Sequence, residues 1–81
     1  MKRLDPPLEF ACDPNHIQIR TELTRQGIPF LGVSGYLADD ATPRFVVSMM
    51  IPDDATELDS VLLRRVTQIV ERASPNQVVW R

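Results

Sequence analysis

Between Ile17 and Ile51 most of the apolar residues fall on odd-numbered positions, and beyond Pro52 the pattern switches to a helical period. A period of two belongs to a strand with one buried face, and a period of 3.6 to a helix with one buried stripe. Together they constrain the chain to a small sheet covered by a helix.

Within that frame, Ile17, Ile19, Thr21 and Leu23 alternate with Gln18, Arg20, Glu22 and Thr24, so residues 17–23 are expected to form a strand. A helix over residues 14–26 is the alternative: Asp13 could N-cap it with Pro14 at the first position, Cys12 and Ile17 could form a hydrophobic staple, and Gly27 could supply the left-handed residue after its end. The strand is favoured because a helix would turn Ile17 away from Ile19 and Leu23, and because Thr21 and Thr24 are poor helix formers. A turn at Gln26 and Gly27 then pairs Leu23 with Leu31, Thr21 with Val33 and Ile17 with Leu37. After a second turn, residues 44–51 form a third strand with Phe45, Val47, Met49 and Ile51 inward.

Asp54 followed by Glu57 has the form of a capping box, so a helix is expected over residues 55–73. Its stripe is Leu58, Leu62, Val66, Ile69 and Ala73, widened by Leu63 and Val70. Residues 1–7 read as a flexible lead, residues 8–12 as a brief strand ended by Asp13, Pro14 and Asn15, and residues 77–80 as a last edge strand. The expected fold class is α+β: one two-layer domain spanning residues 1–81, with a three- to four-stranded antiparallel sheet and one long C-terminal helix. The alternative is helix, β-hairpin, helix.

Composition excludes more than it assigns. A chain of 81 residues hides only about 60% of its unfolded surface, so its core is thin. The formal charge of -2 offers no footprint for nucleic acid, and no run approaches the roughly 18 apolar residues of a membrane span. A single cysteine, Cys12, and an N-terminal stretch without an apolar signal segment fit a cytoplasmic protein. Arginine supplies nearly all the basic residues, a bias typical of a GC-rich, bacterial-type genome.

The chemistry-bearing residues are sparse. Cys12 and His16 are spaced as a thiolate and its base or as half a metal site, yet no second cysteine or histidine completes either, and a buried thiol and a turn histidine are expected. Asp-Asp-Ala-Thr occurs at residues 39–42 and again at 53–56, but a strand of about eight residues at ~3.3 Å each holds the copies roughly 25 Å apart, too far to share a cation or a proton. Gly32 and Gly35 lack the following helix of a phosphate loop, and Ser34 has only His16 as a conceivable base. Arg64, Arg65 and Arg72 flank the helix stripe with their heads in water. No catalytic, cofactor-binding or metal-ligating residue is therefore expected.

One feature resists a purely structural explanation. Phe30, Tyr36, Val46 and Met50 project from the even-numbered sheet face, where polar residues should dominate if water covers it. Either Leu8 and Phe10, or residues 78–80, fold over that face, or it is an interface. The expected function is a small non-enzymatic interaction module, an adaptor, chaperone-like protein or regulator that binds a protein partner or its own copy. A small-ligand sensor and a small inhibitor protein are the alternatives.

Overall fold

The run Phe45, Val47, Met49 and Ile51 builds the strand around which the whole protein is organised. In the computed structural model, which describes residues 1–74, the elements in chain order are β1 (Lys2–Arg3), β2 (Leu8–Phe10), α1 (His16–Arg25), β3 (Phe30–Leu37), β4 (Pro43–Ile51) and α2 (Ser60–Arg72). The class is α+β, with four antiparallel strands in one sheet.

All three other strands pair with β4. β2 and β3 share its residues Phe45, Val46 and Val47, so they lie on opposite edges. β1 matches Lys2 with Ile51 and Arg3 with Met50, and Leu4 N then donates to Met49 O at 2.9 Å. On the β3 side Met50 N donates to Pro29 O at 3.3 Å. Neighbouring residues of a strand aim their backbone groups at opposite edges, so β1 continues the line of β2. Residues 2–10 thus form one edge, interrupted at Asp5, Pro6 and Pro7. Helix α1 carries the chain from that edge to β3 on the far side of β4, a split β-α-β connection.

Both helices cover the odd-numbered face. Phe45, Val47, Met49 and Ile51 join Ile19 and Leu23 of α1 and Val66, Ile69 and Val70 of α2 in one core, with Leu4, Cys12, Ile28 and Ala73 closing its margins. Leu8, Phe10, Phe30 and Val33 pack against it from the neighbouring strands.

Several expectations need correction. Residues 17–23 are helical, so the pairing of Leu23 with Leu31, Thr21 with Val33 and Ile17 with Leu37 does not form, and the local order is the alternative one of helix, hairpin and helix. Asn15, not Asp13, caps α1, its side chain accepting from Gln18 N at 3.0 Å. At the other end Gly27 adopts φ 69, Gly27 N donates to Thr24 O and Ile28 N to Leu23 O, and Ile28 packs with Leu23 in the core. That is the Schellman arrangement, with its usual hydrophobic contact.

Helix α2 is also shorter than residues 55–73. Pro52 opens a turn in which Ala55 N donates to Pro52 O, and the cap is Asp59, which accepts from Val61 N and Leu62 N at 3.1 and 3.2 Å. Asp54 has no capping role. The expected stripe holds from Val66 to Ala73, with Leu58 and Leu62 partly buried and Leu63 41% exposed. Residues 1–7 are no loose lead, since β1 pairs with β4 and Leu4 is buried. The strand expected over 77–80 lies outside the described residues.

Candidate functional site

The face of the sheet opposite the helices is built by alternation along three strands. β4 presents Arg44, Val46, Ser48 and Met50 there, and their partners across the ladder are Tyr36, Ser34 and Gly32 on β3 and Glu9 and Arg3 on the other edge. Tyr36, Val46 and Met50 therefore share this face, as the odd-even pattern indicates. Phe30 does not. A register shift between Phe30 and Gly32 sets Phe30 opposite Met49, on the helix side, where Arg20 lies 5.6 Å from its ring. One inserted residue reverses the parity of everything before it.

Polar groups close one end of this face. The Arg44 guanidinium lies 3.6 Å from the Glu9 carboxylate, and its Nη1 donates to Thr42 Oγ1. The Tyr36 phenol donates to Glu9, and that bond pushes its pKa above the ordinary value. Val46 sits beside this trio and Met50 lies further along β4, both half-buried. Leu8 and Phe10 point into the core instead of folding over this face. The face is apolar at its centre and charged at one end.

The other singled-out residues are dispersed. Cys12 is buried, and desolvation pushes its thiol pKa up although a hydrogen bond with Ser74 opposes the shift. His16 turns to Phe45, with ring centroids 4.9 Å apart, and to Gly35, where an added Cβ would come within 3.2 Å of its Nε2. Gly35 is the space the imidazole needs. Ser34, on the outer face, is separated from His16 by the sheet itself. The two Asp-Asp-Ala-Thr segments lie at opposite ends of β4; in the first, Asp40 accepts from the Thr42 hydroxyl and amide, which holds its carboxyl below the usual range. Among the described residues, no group of three His, Cys, Asp or Glu side chains gathers as a metal site.

Of the three arginines, Arg65 bridges the helices through two hydrogen bonds to Gln26 Oε1, and Arg72 lines a cleft of about 240 Å³ with Arg25 and Glu22. A larger cavity of about 580 Å³, which the sequence did not signal, opens at the end of β4, walled by Pro29, Met50, Ile51, Ala55, Leu58 and Leu62. The loop that replaces the expected first turns of α2 creates it. No helix among the described residues is long and apolar enough to cross a membrane. Neither a family model, a curated protein nor a solved structure matches the chain.

Proposed function

We propose that the protein is a non-enzymatic interaction module, an adaptor, chaperone-like protein or regulator, that docks a protein partner on the outer sheet face at Tyr36, Val46 and Met50. The observation that carries this reading is the placement of both helices on the opposite face, which leaves these three apolar groups without a covering element among the described residues. An uncovered apolar patch rimmed by charge is characteristic of an interaction site. A protein partner fits better than nucleic acid, given a formal charge of -2. The non-catalytic reading draws on the dispersal of the reactive groups, with a protonated thiol inside and the carboxylate pairs at opposite ends of β4. A reducing cytoplasmic setting agrees with the single buried cysteine.

The test is affinity capture with the wild type beside a Val46→Lys, Met50→Glu double variant. The expected result is a partner retained by the wild type and lost by the double variant, whose circular dichroism is unchanged. Equal capture by both would move the site elsewhere, and unfolding of the double variant would make the face internal. The cavity at the end of β4 favours a second reading, a small-ligand sensor, because its volume and apolar walls suit a metabolite-sized guest. A metabolite that raises the melting temperature would favour this reading over the first.

A further inference from the structure

We propose that β3 is a self-pairing edge, through which two copies of this chain join strand to strand, antiparallel, about a two-fold axis at Ser34. The proposal deepens the interaction reading by naming the partner as a second copy. It uses the backbone edge of β3, whereas the docking site above uses the sheet face.

Met50 N bonds toward β3 and Leu4 N meets Met49 O on the other side, so the even residues of β4 aim their backbone groups at β3. Opposite them, Gly32, Ser34 and Tyr36 aim theirs back at β4. Val33, Gly35 and Leu37 therefore aim N–H and C=O away from the sheet, and among the described residues no strand lies along that side.

Among the described residues, nothing guards this edge. Natural sheets protect edges with charge, proline or interruption. The opposite edge has all three, in Lys2, Arg3 and Glu9 and in the break at Asp5, Pro6 and Pro7. β3 runs Phe30–Leu37 without a charged residue or a proline, with Leu31 55% and Leu37 71% exposed. Its only irregularity is the shift between Phe30 and Gly32.

The residue pattern of β3 itself selects a second copy as the partner. Antiparallel pairing about Ser34 sets Val33 against the partner's Gly35, so the outward groups of each satisfy those of the other. It brings Leu31 toward the partner's Leu37, joining the two exposed leucines of the strand. On the outer face it sets Gly32 opposite the partner's Tyr36. Among the described residues an added Cβ at Gly32 would meet nothing within 4 Å, so none of them requires the glycine, and Tyr36 is 49% exposed. An aromatic ring lying across a strand glycine covers the bare backbone there. The edge is complementary to itself, and it carries no charge to meet its own copy.

The test uses the full chain and the residue on the axis. Ser34 is exposed, and two charges of one sign placed opposite each other across strands repel. The expected result in sedimentation is a dimer for the wild type, a monomer for Ser34→Lys and for Ser34→Glu alone, and a dimer again when the two variants are mixed. A wild type that stays monomeric, or single variants that dimerise like the wild type, would overturn the proposal. Should the charged variants lose the wild-type fold, amide exchange in the wild type decides: Val33, Gly35 and Leu37 should lose their protection on dilution, and protection independent of concentration is the contrary result. A monomer that still captures a partner through Val46 and Met50 ends the self-pairing and leaves the proposed function standing.

Discussion

Asp59 and Asp54 lie five positions apart in one acidic loop, and only the first reaches the end of a helix. Asp59→Ala should cost about 0.5–2 kcal/mol through two lost cap acceptors, whereas Asp54→Ala should leave the denaturant midpoint unchanged. The buried thiol makes a second prediction. Because burial holds the Cys12 pKa above its ordinary 9.0, the unfolded chain ionises first, so the stability it lends is full below pH 9.0 and falls as pH rises through the folded value. Cys12→Ala should flatten the decline in melting temperature above that pH. At neutral pH the same thiol should alkylate slowly until the fold opens.

At the scale of elements, α1 shows what the sequence could and could not tell. Ile19 and Leu23 are four apart, a spacing that shares one face in a strand and in a helix alike, so the two buried positions did not discriminate. The discriminating residue is Ile17, which is 76% exposed. Ile17→Lys should be nearly silent in thermal melts, where a strand pairing Ile17 into the core would collapse, and Leu23→Ala should cost roughly 2–5 kcal/mol. The better evidence lay in the punctuation, since Gly27 has the left-handed conformation that the helical alternative requires. For β4, parity was sufficient, because a strand between two neighbours with helices on one side has no freedom to shift its faces. For β3, parity placed Tyr36 correctly and failed at Phe30, since a register shift is invisible in the period of the residues it separates. The cavity was equally hidden, because Asp54 and Asp59 are chemically equivalent caps and only packing chooses between them.

For the whole molecule, the two edges of the sheet differ in kind. One is guarded and made from residues 2–10; the other, among the described residues, is bare. Removing residues 1–7 should therefore do more than trim an end, since it takes away Leu4 from the core and the partners of Met50 and Ile51. A lower denaturant midpoint for the shortened chain is expected, and an unchanged one would return those residues to the status of a lead. The central position of β4 also has a temporal side. Among the described strands, the one that every other requires is the last to be synthesised, so residues 2–10 leave the ribosome before their partner strand and must wait, through α1 and β3, for about forty further residues. Pairs so distant in sequence close slowly. The prolines and charges that interrupt those first residues thus also suit a segment that must remain unattached, without joining strangers, until the middle of the chain arrives.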